Sequence, residues 1–374
     1  MQVVIMAAGS GSRMRPLTKD RHKSLLPLDT NDTFLSRMLH QLNEYEIDKV
    51  IIVTGYRHQD IEKVVKLYEL NITTIYNEKY AVDTNIYSMK LALDTVDTNS
   101  PVIILEADIY LDDYALYKII KESRENKSLW FTKGSFTKEQ YGGILKKDTK
   151  SNILDIAIVP QYKNKYEEYD KLLGIMTIGT QEIEKYKTYL NLWVEKTLEQ
   201  YYLIPWIENL QDLPCIAFDL DGHLVESVNR EEEYYSFLEK LKNSSEINQG
   251  IKLVALDNLL DIEEHIPQRK EALKEKILQE NIWTKPIIIE KNHNLVLDGH
   301  HRFNLAKELG IKKLPAVAVD YNDIQIWSLK ESQKVTKELV IQKAKAKNIY
   351  PNKTVKHYFN FKSIECRYTL EELS

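Results

Sequence analysis

The sequence predicts an α/β protein of two domains, a larger one over residues 1–245 and a smaller α+β one over residues 251–374. Three observations lead to this expectation. The chain of 374 residues is longer than most single domains. Short apolar runs alternate with helix-period segments up to about residue 125, a pattern typical of a mostly parallel sheet. A polar stretch at 243–250 then separates this pattern from a second one, so we expect a linker there.

In the first domain, apolar runs of strand length predict buried strands, and apolar residues at a helical period predict helices. The expected strands of the parallel part are QVVIMAAG (2–9), KVIIVTGY (49–56), ITTIYNE (72–78) and PVIILEADIYL (101–111). The expected helices are FLSRMLHQLNEYEI (34–47), QDIEKVVKLYEL (59–70) and NIYSMKLALDTV (85–96). Antiparallel or mixed strands should follow at SLWFTKG (128–134), GGILKKD (142–148), ILDIAIV (153–159) and LLGIMTIG (172–179), with helices at 190–202 and 230–243.

The second domain shows a different order of elements. We expect a strand within IKLVALDNLL (251–260) and a pair of strands within KPIIIEKNHNLVLDG (285–299). Helices are expected at 268–281 and 303–310, followed by the strand LPAVAVDY (314–321) and a lysine-rich helical tail. This order predicts a small α+β domain.

The composition narrows the class of protein. A net charge of −5 argues against a chain whose main partner is bulk nucleic acid, although residues 251–374 carry 21 Lys and Arg against 17 Asp and Glu. Cys215 and Cys366 lack the spacing of a metal site and predict a reducing, cytoplasmic location. The chain start lacks a signal-peptide pattern, and no apolar run approaches the roughly 18 residues of a membrane span.

The run MAAGSGSRMRPLTKDRHKSLLP (6–27) predicts a triphosphate-binding loop. Its two glycines follow a strand and let backbone N–H groups approach phosphate. Arg13 and Arg15 carry permanent charge, and Lys23 follows at a distance that lets it return to the phosphates as a point charge. We predict Lys23 and Arg13 as catalytic residues. The predicted nucleotide-binding residues of this loop are Ala8, Gly9, Gly11, Ser12 and Arg13.

This run resembles the signature of the sugar-nucleotidyltransferase superfamily, and the resemblance covers about residues 1–240. YAVDTNIYSMKLAL (80–93) and ILEADIYLDD (104–113) are similar to segments of its phosphocholine and aminoethylphosphonate cytidylyltransferases. The resemblance implies a Rossmann-like mixed sheet, CTP as the nucleotide and Mg²⁺ as the cofactor. It also implies the reaction, in which a phosphate monoester attacks the α-phosphate of the nucleotide and pyrophosphate leaves.

The same resemblance implies individual site residues. Asp108 is expected to hold Mg²⁺. The second metal carboxylate of the family corresponds to Asn229 within SVNREEEY (227–234), a departure from the usual aspartate. An amide oxygen binds Mg²⁺ more weakly than a carboxylate, so the number of metal ions stays open, and Glu226 can compensate. Substrate binding is expected from Asn85, Tyr87 and Ser88, with a plain helix N-terminus as the alternative.

The run LVLDGHHRFNLAKELG (295–310) places an acid, a glycine, two histidines and an arginine between a strand and a helix. The glycine permits the turn, and the N-terminus of the helix suits an anion. Adjacent histidines differ from the HExxH motif, whose i,i+4 spacing puts both ligands on one helix face, so phosphate is favoured over zinc. The predicted nucleotide-binding residues are Asp298, Gly299, His300, His301 and Arg302.

Residues 251–374 resemble the ParB/sulfiredoxin-like superfamily, in which two functions compete. Partition proteins bind DNA through a following helix-turn-helix, whereas free serine kinases combine DGHHR with an upstream acidic segment and a C-terminal tail. LLDIEEHIPQR (259–269) and IYPNKTVKHYF (349–359) are similar to those kinase segments. The kinase resemblance implies Glu263 or Glu264 as the base, and ATP or ADP as the phosphate donor. Substrate binding is implied for Lys353, Thr354 and His357.

Together the two halves predict a bifunctional enzyme. The second half would convert serine to phosphoserine, and the first would join phosphoserine to CTP, giving CDP-serine for a downstream headgroup transferase. One alternative is another acceptor, such as phosphocholine, phosphoethanolamine, aminoethylphosphonate or a sugar phosphate. A further alternative gives the second domain a regulatory role in binding nucleotide or DNA. The sequence leaves the acceptor and the oligomeric state open, a homo-oligomer included.

Overall fold

The computed structural model describes residues 1–29, 31–243, 250–264, 267–359, 361 and 365–374, without the side chains of residues 243, 267–272 and 276. The chain separates into two compact units, which we call the N-terminal unit (Met1–Leu238) and the C-terminal unit (Glu239–Ser374). Most of the predicted linker at 243–250 lies outside the described residues. Among the residues that are described, no helix is long and apolar enough to cross a membrane.

The N-terminal unit is built around a nine-stranded mixed sheet. The strands of the unit are β1 (Gln2–Ala7), β2 (Lys49–Thr54), β3 (Ile72–Tyr76), β4 (Val102–Glu106), β5 (Ile109–Leu111), β6 (Leu129–Ser135), β7 (Gly142–Lys147), β8 (Ile153–Val159), β9 (Asp170–Ile178), β10 (Ile216–Asp219) and β11 (Val225–Ser227). The helices are α1 (Phe34–Leu42), α2 (His58–Val65), α3 (Ile86–Leu93), α4 (Asp113–Ser123), α5 (Thr180–Lys196) and α6 (Ile204–Ile207). Helix α7 (Glu231–Asn243) begins in this unit and continues past its last residue, Leu238.

The strand order places several strand ends together. The main path is β10-β6-β9-β4-β1-β2-β3, with β7 beside β9 and β8 beside β7. Strand β1 is parallel to β2 and β4, whereas β9 is antiparallel to both β4 and β6. The carboxyl ends of β1, β4 and β6 therefore meet the amino end of β9 at one edge of the sheet. This arrangement confirms the predicted Rossmann-like mixed sheet.

The central strands are continuous apolar runs because both faces of the sheet are covered. Val4 of β1, Ile51 of β2 and Ile104 of β4 are fully buried and belong to one core cluster with Met89 of α3. The candidate site residues Lys23 and Asp108 lie at the edge where these strands end.

Several elements of this unit differ from the prediction. The helix expected at 190–202 is α5, which begins ten residues earlier, at Thr180, and ends at Lys196. The helix expected at 59–70 ends at Val65. The expected strand 101–111 is broken into β4 and β5 by a turn at residues 107–108, because β5 pairs with β11 outside the main sheet. The break places Asp108 in the turn at the end of β4. The expected helix 34–47 ends earlier, at Leu42.

The C-terminal unit contains a four-stranded sheet in the order β12-β16-β14-β15, flanked by short pairs of strands. Its strands are β12 (Lys252–Ala255), β13 (Ile282–Trp283), β14 (Ile287–Glu290), β15 (Val296–Asp298), β16 (Lys313–Val319), β17 (Gln325–Ser328), β18 (Val355–Tyr358) and β19 (Tyr368–Thr369). Its helices are α8 (Pro267–Glu280), α9 (His300–Glu308), α10 (Lys337–Lys345) and α11 (Leu370–Leu373).

Two features of the C-terminal unit also depart from the prediction. The helix expected at 303–310 begins three residues earlier, so the HHR segment forms its first turn. The tail is not one lysine-rich helix, because α10 is followed by β18, which pairs with β17. In the described part of the chain after residue 320, two strands separate α10 from α11. That order gives no support to a helix-turn-helix in this region.

Candidate active sites

The loop after β1 has the backbone of an anion-binding turn. Gly11 lies in the left-handed region (φ 61°), and a Cβ there would come within 3.2 Å of side-chain atoms of Lys23 and Thr18. The Thr18 hydroxyl also donates to the Gly11 carbonyl (2.8 Å). Gly9 is exposed, and a Cβ on it would meet nothing within 4 Å. Gly11 is therefore required by the turn itself, whereas Gly9 leaves open space beside the backbone.

Lys23 connects this loop to the end of β4. It begins a 3-10 turn whose preceding residue, His22, accepts the Ser24 N–H through Nδ1 (3.1 Å). The Lys23 ammonium is buried, pairs with Asp108 and donates to Asn229 Oδ1 (3.1 Å). The Arg13 guanidinium donates to the same amide oxygen (3.2 Å). The fold thus brings together the residues of the N-terminal unit that the sequence predicted as catalytic or metal-binding.

Asp108 fits a role in holding Mg²⁺, and Asn229 would join it if the ion replaced Lys23 and Arg13 at its Oδ1. The second carboxylate oxygen of Asp108, Oδ1, is buried and has no hydrogen-bond partner among the described residues. A buried anionic oxygen without a donor is costly unless a cation approaches it. Mg²⁺ prefers oxygen ligands and keeps several waters, so two protein ligands are sufficient beside nucleotide phosphates. Within the described part of the chain, no group of three or more His, Cys, Asp or Glu side chains is arranged to hold a metal.

Glu226, which was expected to compensate for Asn229 as a ligand of Mg²⁺, has a different partner. Its carboxylate pairs with the Lys133 ammonium (2.7 Å), and Lys133 also donates to the carbonyl of Val225 (2.6 Å). Compensation for Asn229 by Glu226 therefore stays a prediction, because the structure assigns Glu226 a different partner.

The sequence reasoning missed two buried titratable groups at this edge. Burial lowers the pKa of His22 to about 4, so this histidine is neutral while it supports the turn that carries Lys23. Burial, followed by the charge of Asp108, raises the pKa of Glu106 to about 7. Glu106 Oε1 accepts a hydrogen bond from the Tyr202 hydroxyl (3.3 Å). Glu106 lies in the segment ILEADIYLDD (104–113), and its position two residues before Asp108 was the available signal.

The predicted substrate residues near α3 form hydrogen bonds with other parts of the fold. The N–H groups of Tyr87 and Ser88 donate to Asp83 (2.9 Å each), which caps the helix. The Ser88 hydroxyl also donates to Asp83 (2.7 Å), and Asn85 Oδ1 accepts the N–H of Tyr202 (2.9 Å). The helix N-terminus therefore accounts for these contacts, and a role in substrate binding stays a prediction.

In the C-terminal unit, the predicted phosphate turn is tightly held. Gly299 has φ 95°, and a Cβ there would lie 2.8 Å from Ile287 Cγ2, so only glycine fits. Arg302 donates to the carbonyl of Pro286 (2.6 Å) and to Asp298 Oδ2 (3.0 Å). These bonds fix the turn that opens α9, with His300 and His301 in its first turn.

Asp261 is a further group that the sequence reasoning did not select. It faces His300 (Nδ1 to Oδ1, 3.4 Å) and accepts from the Lys307 ammonium (3.1 Å). Burial tends to raise the pKa of Asp261, but the hydrogen bond and charge of His300, with Lys307, lower it below its ordinary value. Asp261 is therefore an anion that orients His300 at the N-terminus of α9.

The structure separates the two candidate bases. Glu263 is buried, and its Oε2 accepts the N–H groups of Thr354 (3.0 Å) and Val355 (2.7 Å). Glu264 is exposed, and its own N–H donates to the carbonyl of Tyr350 (2.9 Å). Burial raises the pKa of Glu263, against the opposing effect of the bonds from the backbone and the charge of His300. Glu263, rather than Glu264, therefore faces the segment that precedes β18.

The predicted substrate residues of the tail lie around this acid. The Thr354 hydroxyl donates to the carbonyl of Pro351 (2.7 Å), and Lys353 has a left-handed backbone (φ 51°). His357 lies in β18 with its Nε2 3.0 Å from the Tyr321 hydroxyl. Burial lowers the pKa of His357 to about 3, and the charge of His300 acts in the same direction.

Comparison with known proteins supports a nucleotidyl transferase domain in the first half. The family profile described as Nucleotidyl transferase matches residues 2–165. This part of the chain is a nucleotidyl transferase domain. A choline-phosphate cytidylyltransferase from Haemophilus influenzae is 29% identical over 251 residues, which are 66% of this chain and 100% of that protein. The solved CTP:phosphocholine cytidylyltransferase of Streptococcus pneumoniae superposes with a TM-score of 0.54 at 21% identity, over 64% of this chain and 98% of the other. At that identity it supports the fold of the nucleotidyl transferase domain alone.

The second half matches shorter stretches of its relatives. An ATP-dependent L-serine kinase from Staphylothermus marinus is 45% identical over 75 residues, 19% of this chain and 30% of that protein. A ParB-like protein from Sulfolobus acidocaldarius is 43% identical over 51 residues, 14% of this chain and 26% of that protein. The chain therefore spans less than a third of the length of these relatives. The matched stretches lie in the C-terminal part of the chain.

Proposed function

We propose that the chain is a bifunctional enzyme that makes O-phosphoserine from free L-serine and then transfers CMP from CTP to it. The observation that carries this proposal is that each unit has its own glycine turn for phosphate and its own acid. Lys23, Arg13 and Asp108 serve the first turn, and Glu263 faces the second unit's tail. Neither set shares a residue with the other, so each unit can carry a separate step.

In the nucleotidyl transferase domain, a phosphate oxygen of phosphoserine attacks the α-phosphorus of CTP. The bond from that phosphorus to the bridging oxygen breaks, and pyrophosphate leaves with the electron pair. Lys23 and Arg13 are placed to stabilise the negative charge that develops on the phosphates. Mg²⁺, when held by Asp108 and Asn229, would supply further charge neutralisation. The open backbone at Gly9 suits close approach of the triphosphate.

In the C-terminal unit, Glu263 takes the proton of the serine hydroxyl. At the same time the serine oxygen bonds to the terminal phosphorus of the nucleotide. The bond from that phosphorus to the bridging oxygen breaks, releasing ADP from ATP or AMP from ADP. A carboxylate whose pKa is raised by burial is a better proton acceptor near neutral pH than a solvated one. His300, oriented by Asp261, and the N-terminus of α9 are suited to the donor phosphates.

A second candidate keeps nucleotidyl transfer but uses another acceptor. The similarity to choline-phosphate cytidylyltransferase and to a 2-aminoethylphosphonate cytidylyltransferase favours phosphocholine, phosphoethanolamine or aminoethylphosphonate. In that case the C-terminal unit would act as a regulatory module that binds nucleotide or DNA.

One experiment tests both steps. The full chain is incubated with Mg²⁺, serine and either ATP or ADP, and phosphoserine is measured by mass spectrometry. In parallel, it receives phosphoserine and each nucleoside triphosphate, and pyrophosphate and the nucleotide product are measured. We expect phosphoserine in the first arm, and CDP-serine with CTP preferred in the second. A preference for UTP would favour a sugar-phosphate acceptor. Absence of phosphoserine with both donors, together with salt-sensitive DNA binding, would favour the regulatory alternative.

A further inference from the structure

At the edge of the N-terminal sheet where β1 and β4 end, the strands on either side of Asp108 are different. The glycine loop follows β1, which has β2 and β3 on one side and β4 on the other. Strands β9 and β6 lie beyond β4, away from the loop. Because the nucleotide phosphates occupy the β1 side in the proposed reaction, the acceptor has to reach Asp108 from the β9 and β6 side. The side chains at those strand ends therefore decide which acceptor fits.

Lys171 lies at the amino end of β9 and differs from neighbouring lysines. Its ammonium donates to the carbonyls of Gly143 (3.1 Å) and Leu172 (3.2 Å). An ammonium has three donors, so these bonds leave one. Lys133 and Lys147 pair with carboxylates, whereas Lys171 forms no ion pair among the residues that the structure describes.

The environment of Lys171 strengthens any contact with an anion. Burial lowers the pKa of Lys171 to about 8, while the charges of Glu106 and Glu233 oppose that shift. The group is thus mostly charged at neutral pH but poorly solvated. A charge in such surroundings interacts more strongly with an opposite charge than it would in water.

Glu106 places a carboxyl group at the end of β4. Its carboxyl group lies against the backbone of β9, because a Cβ on Gly174 would overlap it. Tyr202 donates to it (3.3 Å), so contacts with β9 and with Tyr202 hold the carboxyl group in place.

The aromatic rings behind Glu106 are packed against each other. The ring of Trp130 lies 6.5 Å from that of Tyr202 and 6.2 Å from that of Trp206, and each of the three residues is at most 2% exposed. A trimethylammonium group has no N–H and depends on open aromatic faces. A primary ammonium can instead donate N–H bonds to a carboxylate. This corner therefore suits a primary ammonium better than choline.

We propose that Glu106 binds the α-ammonium and Lys171 the α-carboxylate of the acceptor, so that the N-terminal unit selects a phosphorylated α-amino acid. This assignment rests on the proposed nucleotidyl transfer. It makes Lys171 the specificity-determining residue, because phosphoethanolamine has the ammonium of phosphoserine but not its carboxylate.

The test compares acceptors on the full chain with Mg²⁺ and CTP, following pyrophosphate release. Lys171→Met should lower kcat/KM for phosphoserine by about 10- to 100-fold, which corresponds to about 1.4–2.7 kcal/mol. The value for phosphoethanolamine should change by less than about 3-fold. Lys146→Met is the matched control on the neighbouring strand β7, because Lys146 pairs with Glu168 at the surface, and it should leave both values unchanged. Glu106→Gln should lower kcat/KM for phosphoserine and phosphoethanolamine more than for 3-phosphooxypropionate, which lacks the ammonium.

The outcomes separate this assignment from the proposed function. If the wild-type chain uses phosphoserine but Lys171→Met lowers kcat/KM equally for phosphoserine and phosphoethanolamine, the assignment of Lys171 is wrong. Nucleotidyl transfer to phosphoserine then stands. If the wild-type chain prefers phosphocholine or phosphoethanolamine, the assignment of Glu106 and Lys171 and the proposed transfer to phosphoserine are both wrong. A circular dichroism melt checks that Lys171→Met folds. Lys171→Gln, which keeps a hydrogen-bond donor but no charge, should give the same discrimination.

Discussion

The phosphate turns of the two units are both shaped by a glycine with positive φ, yet different structures follow them. After Gly11 the N-terminal unit makes only a three-residue 3-10 turn, Ser12–Met14, and side-chain cations supply the charge. After Gly299 the C-terminal unit begins the nine-residue helix α9, whose N-terminus itself attracts anions.

The acids of the two units differ in the same way. Asp108 is held by the ammonium of Lys23 and has a second, buried oxygen with no hydrogen-bond partner among the described residues. Glu263 is held by backbone N–H groups, and burial raises its pKa. A carboxylate paired with a cation stays ionised and suits a metal, whereas a desolvated carboxylate suits proton transfer. The comparison teaches that the partner of an acid, rather than its residue type, indicates its role.

The largest effect should come from breaking the charge cluster of the N-terminal unit. Asp108→Ala and Lys23→Ala should each lower pyrophosphate release by about 1000-fold or more, because the triphosphate then lacks fixed charge stabilisation. Phosphoserine formation should stay within about twofold in the same preparations. Retention of more than about a tenth of the transfer rate in Asp108→Ala, a change of only about 1.4 kcal/mol, would count against a metal-binding role.

The second effect concerns the base of the C-terminal unit. Glu263→Gln should lower the rate of phosphoserine formation by about 100-fold or more, because a serine hydroxyl is a weak nucleophile without a positioned base. Glu264→Gln is the control, since its side chain is exposed, and it should retain the wild-type rate. Both variants, given phosphoserine, should still release pyrophosphate from CTP. Equal losses in the two variants would show that burial does not identify the base.

A third pair of variants compares the glycines of the first loop. Gly9→Ala should raise KM for CTP about tenfold, or roughly 1.4 kcal/mol, without lowering the melting temperature, because its Cβ meets no protein atom. Gly11→Ala should lower the melting temperature, since Gly11 has φ 61° and a left-handed alanine costs roughly 1–2 kcal/mol. Nucleotide titration and thermal unfolding check these outcomes. A stable Gly9→Ala variant with unchanged KM would argue against close approach of phosphate there.

The smallest effect is a pH dependence of stability around His357. Its pKa is about 3 in the folded state, compared with the ordinary 6.5, so between these values the unfolded state binds a proton that the folded state excludes. Stability should therefore fall as the pH drops, by about 1 kcal/mol between pH 6.5 and 5.5. Hydrogen exchange in peptides from β15 and β18 measures this, and His357→Gln should flatten the profile. An unchanged profile in that variant would assign the pH dependence to other groups.

The sequence predicted the fold better than the geometry of the sites. Alternating apolar runs indicated the parallel strands, because burial on both faces dictates their composition. Motif positions also predicted that Lys23, Asp108 and Asn229 would meet, and the strand ends bring them together. Their roles in catalysis and metal binding remain predictions.

Other features depend on contacts that local sequence does not specify. Glu263 and Glu264 are adjacent, and a shift of one residue in an extended segment exchanges the side chain that points inward. The pairing of Glu263 with Tyr350, far along the chain, decides between them. Lys171 is likewise an ordinary lysine in the sequence, and only the neighbouring strands show that it is partly buried and, among the described residues, not paired with a carboxylate.

The amide at position 229 also changes the charge balance of the transferase site. Where the resembled family carries an aspartate, Asn229 contributes an oxygen but no negative charge. Phosphoserine carries one more negative charge than phosphoethanolamine, because of its α-carboxylate. The loss of one anion from the protein offsets the gain of one anion on the proposed acceptor, so the total charge around the reacting phosphates stays the same. Asn229→Asp would therefore disfavour an anionic acceptor through repulsion, even though it adds a stronger ligand for Mg²⁺.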